Sequence, residues 1–407
     1  MLTVLSKFTR ARRRLMYERS TVATLVSRME EPRRFLQVLR GPRQTGKTTA
    51  IKQALSKLTM PFHYVSADNA GMATQQWLTA EWQQARQLTQ RGTQSAVLVV
   101  DEVQNVTQWS SVVKAQWDED AWNNLDLRVV LSGSSSLLLQ SGLAESLMGR
   151  FEQLYSSHWT YGETKAAFEY TLDDFLFFGG YPASAHFRQD PQRWVDYMGA
   201  SVIEATLSRD VLQREDVRKP AVLRALFYMG TSFSAQEISF RKMLGQLDDA
   251  GNTVTIAHYL DLLAEAGLLQ GLQKFDPKLL RKKSSSPRLM VYDTALVTAV
   301  AGAGAQELLT KPDKRGHLVE SAVGAYLIAR SKQEHFEVLW WREGANEVDF
   351  VLQKGAHITA IEVKSGRVKS LAGMTAFLNA YPDAHRVVVG SADCPLEDFL
   401  LGKVALF

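Results

Sequence analysis

The chain declares its first chemistry between Gly41 and Thr49. The stretch Gly41-Pro42-Arg43-Gln44-Thr45-Gly46-Lys47-Thr48-Thr49 fits the pattern G-x-x-x-x-G-K-[ST]. Two glycines let the backbone curl so that its N–H groups face phosphate oxygens, and a helix beginning at the loop adds positive potential there. In this pattern Lys47 reaches the β and γ phosphates of a nucleotide, and Thr48 offers its hydroxyl to Mg²⁺. The context agrees, because the apolar run from Phe35 to Leu39 reads as a strand before the loop and Thr49 to Leu58 reads as a helix after it.

A phosphate loop alone does not hold a metal, and the complement stands at Ala96 to Glu102. Apolar residues from Ala96 to Val100 end in Asp101 and Glu102, as a buried parallel strand with carboxylates at the ligand-binding edge of an open α/β sheet. Asp101 is expected to hold Mg²⁺ through water, and Glu102 to polarise an attacking water, which suits hydrolysis. A further strand, Leu127 to Leu131, ends in a polar turn whose Ser132 or Ser134 is a candidate sensor of the γ-phosphate.

A second constellation lies near the C-terminus: Glu320 in a helix from Leu318 to Arg330, Asp349 in a strand, and Glu362 and Lys364 in Ile361-Glu362-Val363-Lys364. Strand alternation puts Glu362 and Lys364 on one face and Ile361 and Val363 on the other. Two carboxylates on adjacent strands can share a divalent metal, a second Mg²⁺ or Mn²⁺, with Glu320 as a further ligand and Lys364 orienting a water for attack on a phosphodiester.

The elements that must position these groups exceed one domain. The chain has 407 residues, 45% hydrophobic and 22% charged, an ordinary globular balance for roughly two to four domains. A formal net charge of +4 says little about partners. Two basic clusters say more: Lys7 to Arg14 at the start, and Lys278, Arg281, Lys282, Lys283 and Arg288 later, each able to touch nucleic-acid phosphates without reading sequence. One cysteine, Cys394, excludes an internal disulfide and a multi-cysteine zinc site, and none of the eight histidines forms an H-E-x-x-H pair. No run reaches the length of a membrane helix and no signal core precedes Met16, so no membrane partner and a cytoplasmic location are expected.

In order, residues 1–34 read as a basic helical lead-in and 35–163 as the α/β core. Residues 164–215 read as helices interrupted by Phe177-Phe178-Gly179-Gly180-Tyr181-Pro182. Residues 216–300 read as helices at Ala221 to Met229, Ala235 to Leu247 and Thr255 to Ala266, then a hairpin with a basic tip from Pro277 to Arg288. Residues 301–407 hold the second constellation in an α/β domain.

The phosphate loop, the Asp-Glu strand, the polar strand end and an arginine just before the last core strand resemble the AAA-type ATPase core. That resemblance implies that Arg150 acts in trans on a neighbour's nucleotide, and hence a homo-oligomer. The helices after the core resemble the AAA helical lid, residues 216–300 a winged helix-turn-helix, and Asp349 with Glu362 and Lys364 the D…E-x-K fold of restriction-endonuclease-like domains. As a whole the order resembles prokaryotic AAA-type ATPases fused to a C-terminal domain of unknown function. The resemblance implies ATP binding, and an Mg²⁺-dependent ATPase that switches its downstream modules is the expectation. The alternatives are an ATP-gated metal-dependent nuclease, with DNA as a largely sequence-independent partner, and a non-hydrolysing ATP-bound scaffold.

Overall fold

The computed structural model describes residues 17–68, 73–90, 95–134, 146–212, 217–249, 251–276, 286–302, 305–366 and 371–407. Five parallel strands, β1 (Leu36–Gly41), β2 (Phe62–Ser66), β3 (Ala96–Asp101), β4 (Leu127–Ser134) and β5 (Phe151–Tyr155), form a sheet in the order β2-β3-β4-β1-β5. The period of two assigns the faces of β3. Leu98 and Val100 join a core under the helices Gln75–Gln90 and Trp109–Trp122, while Val97 and Val99 join another with the helices Ser20–Glu30 and Lys47–Leu55. Both faces are covered, so the strand is apolar throughout until Asp101. Parallel pairing sets Leu39 beside Ser132 and Val100 beside Leu131, which brings the C-terminal ends of β1, β3 and β4 to one edge.

The helix Tyr161–Phe168 begins with a capping box of Thr160 and Glu163, and Leu172–Phe178 with one of Thr171 and Asp174. Gly179 then turns with φ 64°. Cβ atoms on Gly179 and Gly180 would fall 1.8 Å from Asp293 Oδ1 and 2.2 Å from the Trp159 carbonyl oxygen, so only glycine lets this turn close. Asp293 caps the helix Thr294–Ala301 by accepting from the Ala295 N–H at 2.9 Å, and it also accepts from the Gly180 N–H at 2.8 Å. The chain is then α-helical over Pro191–Tyr197 and widens into π turns at Met198–Glu204 and Leu207–Leu212.

Three helices follow at Pro220–Ser232, Phe240–Gln246 and Thr253–Glu265, with an antiparallel sheet of β6 (Gln236–Glu237), β7 (Leu269–Leu272) and β8 (Arg288–Val291) in the order β6-β8-β7. The helix expected from Ala235 is shorter than its sequence suggests. Ala235 takes φ 65° and the next two residues pair with β8, so the helix starts only after Ser239, its cap.

The C-terminal sheet holds β9 (Glu337–Glu343), β10 (Asn346–Lys354), β11 (His357–Val363) and β12 (His385–Val389) in the order β12-β11-β10-β9, with only β11 and β12 parallel. The helix Pro312–Glu334 covers one face and Ala372–Ala380 the other. A register shift between Val348 and Val351 breaks the alternation of β10. These two valines share the outer cluster while Phe350 and Leu352 face inward. One apolar cluster runs without a break from Tyr161 to Leu406, joining the helices after β5, the three-stranded unit and the C-terminal sheet.

Candidate nucleotide site

The loop after β1 is shaped by Gly46, whose φ of 90° ends it and caps the helix Lys47–Leu55, and by Gly41, whose added Cβ would sit 2.0 Å from the Ser156 carbonyl oxygen. The Lys47 Nζ donates to the carbonyls of Gly41 and Pro42 at 2.9 and 2.8 Å, folded over the loop it belongs to. Burial pushes the pKa of its ammonium down, while Glu102 and Asp101 pull the other way.

Asp101 is the hub of the site. Its carboxylate accepts from the Thr48 hydroxyl at 2.7 Å, the Tyr64 hydroxyl at 2.9 Å, the Glu102 N–H at 3.1 Å and the Ser132 hydroxyl. A threonine hydroxyl and a carboxylate meeting beside a helix N-terminus are an all-oxygen donor set, and it suits Mg²⁺. Ser132, expected as a phosphate sensor, is thereby engaged with Asp101. Ser134 lies further out, 3.2 Å from the Gln104 amide and 3.4 Å from Asp210.

Glu102 has φ 54°, a strained backbone for a non-glycine residue. The Gln104 amide donates to its carboxylate at 2.5 Å. Burial raises the Glu102 pKa, opposed by Lys47 and Arg43, which moves a carboxylate toward the range useful to a general base.

Two of the four variable positions of the loop, Arg43 and Gln44, are gripped by the π-helical turns and the helix end before them. Arg43 Nε donates to Asp210 at 2.5 Å, and Gln44 donates to the Ser201 carbonyl at 2.5 Å while accepting from the Tyr197 hydroxyl at 2.8 Å. Burial disfavours the Arg43 charge, but Asp210 outweighs it and raises the pKa. From below, Arg19 binds the Thr45 and Ser157 carbonyls and pairs with Glu163 at 2.7 Å, and the Trp159 indole donates to the Thr45 carbonyl at 2.9 Å. Thr49 follows within the helix.

Residues 33–165 match the family described as AAA domain. This part of the chain is an AAA-type P-loop domain. After the AAA domain, residues 169–307 and 315–401 match two families described as domains of unknown function, DUF8612 and DUF4143. Curated relatives of the AAA-containing chain include the uncharacterized proteins Rv2008c of Mycobacterium tuberculosis and Mb2031c of Mycobacterium bovis. Each is 26% identical over 338 residues, covering 82% of this chain and 71% of the relative. MJ1544 of Methanocaldococcus jannaschii is 23% identical over 78% of this chain and 72% of its own length. Among solved structures, Aeropyrum pernix Orc1 in complex with DNA aligns at TM-score 0.33 and 12% identity over 72% of this chain and 94% of that one. A Thermotoga maritima RuvB variant aligns at 0.34 and 17% over 62% and 86%.

Arg150, next to the AAA sheet, is on the surface and pairs with Asp118 at 2.8 and 3.1 Å. Trp122, one helical turn beyond Asp118, is 87% exposed, and Met148 is 75% exposed. The basic residues Lys7 to Arg14 and Lys278 to Lys283 lie outside the described residues, but Arg288, read with them as a phosphate-facing residue, turns inward and is buried. Its guanidinium meets Glu347 at 2.7 Å, Glu320 at 3.2 Å and Asp349 at 3.3 Å. Lys364 pairs with Glu362 at 2.5 Å on the face they were expected to share. The expected metal ligands Glu320, Asp349 and Glu362 are therefore each matched to a cationic side chain, and among the described residues no group of three or more acidic, histidine or cysteine side chains is arranged to hold a metal ion. Among the described residues no helix is long and apolar enough to cross a membrane.

Sequence reasoning missed Tyr64, Gln104, Asp210 and Arg19. Gln104 was the accessible one, two residues past Glu102 on the same turn. The others reach the loop from distant segments.

Proposed function

We propose that the chain binds MgATP at the loop Gly41 to Thr49 and hydrolyses it. The observation that carries this reading is the convergence of Thr48, Asp101 and Glu102 at one sheet edge, with the Thr48 hydroxyl 2.7 Å from the Asp101 carboxylate. Loop N–H groups and Lys47 cradle the phosphates, Thr48 and Asp101 hold the ion, and Glu102, kept in place by Gln104, takes the proton of the attacking water. Bound Mg²⁺ supplies charge neutralisation on the phosphates. Ser134 and Asp210, both buried where β4 meets the π turns, sense the nucleotide and pass its state to the lid of residues 164–215. In the same reading Arg150 serves a neighbouring copy, and exposed Trp122 and Met148 beside it belong to that contact. The unit with sheet order β6-β8-β7 is a winged-helix module whose third helix exposes His258 and Asp261, acidic and neutral groups that suit a connecting role better than a DNA groove.

Phosphate release from ATP by wild type, Lys47→Ala and Glu102→Gln tests the proposal. Lys47→Ala should abolish binding and turnover, whereas Glu102→Gln should retain binding and lose about 100-fold or more in turnover. Turnover unchanged in Glu102→Gln removes the proposed base, and tight binding without turnover by wild type favours the scaffold.

A further inference from the structure

The C-terminal carboxylates have the residue types of a divalent-cation site, yet they are built around a side chain from another part of the chain. Glu320 Oε2 and Asp349 Oδ1, oxygens of two expected ligands, converge on one atom, the Arg288 Nη2, at 3.2 and 3.3 Å. The other guanidinium nitrogen, Nη1, donates to Glu347 at 2.7 Å. The second Asp349 oxygen is taken by the Val363 N–H at 2.8 Å. Arg288 is 3% exposed, and the three carboxylates overcome its burial to raise its pKa further above the usual arginine value. Arg342 extends the network by bridging Glu347 of β10 and Glu237 of β6. Main-chain bonds run alongside, from Phe275 N–H to the Trp340 carbonyl at 2.6 Å and from Trp340 N–H to the Gln273 carbonyl at 3.2 Å.

We propose that this acidic cluster is the receptor for Arg288, a built-in cation at the position a metal ion would share, and that it clamps β8 and its sheet to the C-terminal domain. A divalent ion needs carboxylate oxygens at about 2.0–2.6 Å in its own geometry. Here those oxygens form charge-assisted hydrogen bonds to a planar fork, the geometry that arginine satisfies and a spherical ion does not. The register shift in β10 serves the same end, because it faces Asp349 toward Arg288 while Val348 and Val351 pack on the outer side. The clamp then needs no metal ion to join the two parts. This inference is independent of the ATP reading.

Two measurements on the full chain test it. Nucleotide-free wild type, Asp101→Asn and Asp349→Asn are titrated with Mn²⁺ and followed by electron paramagnetic resonance. Wild type and Asp349→Asn should bind the same amount of ion. One equivalent present in wild type and Asp101→Asn but lost in Asp349→Asn overturns the proposal. Second, Arg288→Met should lower the melting temperature by taking the shared guanidinium from three carboxylates, and Glu320→Gln, Glu347→Gln and Asp349→Asn added to Arg288→Met should raise it again. Where Arg288→Met alone does not fold, recovery of folded protein on adding the neutralising changes is the expected result. No recovery, or a further fall, counts against the clamp.

Discussion

Replacing Asp293 by asparagine should flatten the pH dependence of stability. Asp293 is 4% exposed, and burial raises its carboxyl from 3.8 to about 7 against the pull of the Ala295 and Gly180 N–H donors. A carboxyl raised in the folded state gives stability that is complete below the unfolded value and is lost as pH rises through the folded one. The full shift is worth about 4 kcal/mol at 1.36 kcal/mol per unit, of which roughly 2.5 kcal/mol falls between pH 5 and pH 8. Buried His158 acts oppositely, since burial lowers its pKa to about 3 and its contribution is lost as pH falls below the ordinary histidine value. Asp349, raised mainly by burial, has the same sign as Asp293. Both are shared by wild type and variant, so the difference curve isolates Asp293. Urea unfolding of wild type and Asp293→Asn from pH 5 to pH 8 measures it. Asparagine loses one acceptor, a constant offset of about 1–2 kcal/mol, and the wild-type advantage should shrink and reverse as pH rises. Parallel curves would refute the reasoning.

Gly41→Ala should abolish ATP binding and lower the melting temperature, because its Cβ would sit 2.0 Å from the Ser156 carbonyl oxygen, which belongs to backbone that cannot swing aside. Asp101→Ala should destabilise by about 2–4 kcal/mol by orphaning the hydroxyls of Thr48, Tyr64 and Ser132, with Asp101→Asn milder, as denaturant titration would report. Asp210→Asn weakens a pair whose Arg43 side chain is 21% exposed; a loss of about 1–3 kcal/mol and faster hydrogen exchange across residues 198–212 are expected, and unchanged exchange would contradict the grip of these turns on the loop.

The phosphate loop and the carboxylates ending β3 were legible because each rests on local spacing, and one period-two strand carries Asp101 to the edge without reference to distant residues. Arg288 was misread because a run of basic residues looks alike whether solvated or buried. Its strand held a clue: Leu289, Met290 and Val291 are all buried, and a residue sharing the face of Met290 is not free to point at solvent. The helix at Ala235 failed because β6 exists only through its pairing with β8, some fifty residues later. Tyr64 and Asp210 reach the site by tertiary folding that no window of sequence contains, and the π turns that present Asp210 have the same apolar spacing as an ordinary helix.

The unbroken apolar cluster from Tyr161 to Leu406 divides the molecule mechanically in two, with the sheet β1–β5 and its pair of cores as the other part. Apolar interlocks resist sliding, whereas hydrogen bonds and ion pairs can be traded for phosphate oxygens at little cost in buried area. The join between the parts contains several such tradeable contacts: Arg43 with Asp210, Gln44 with Ser201 and Tyr197, Trp159 with Thr45, and Arg19 with Glu163. Most of them involve the phosphate loop or its immediate support. Exchange of these contacts for nucleotide oxygens would therefore loosen the join while leaving the packing on either side of it intact.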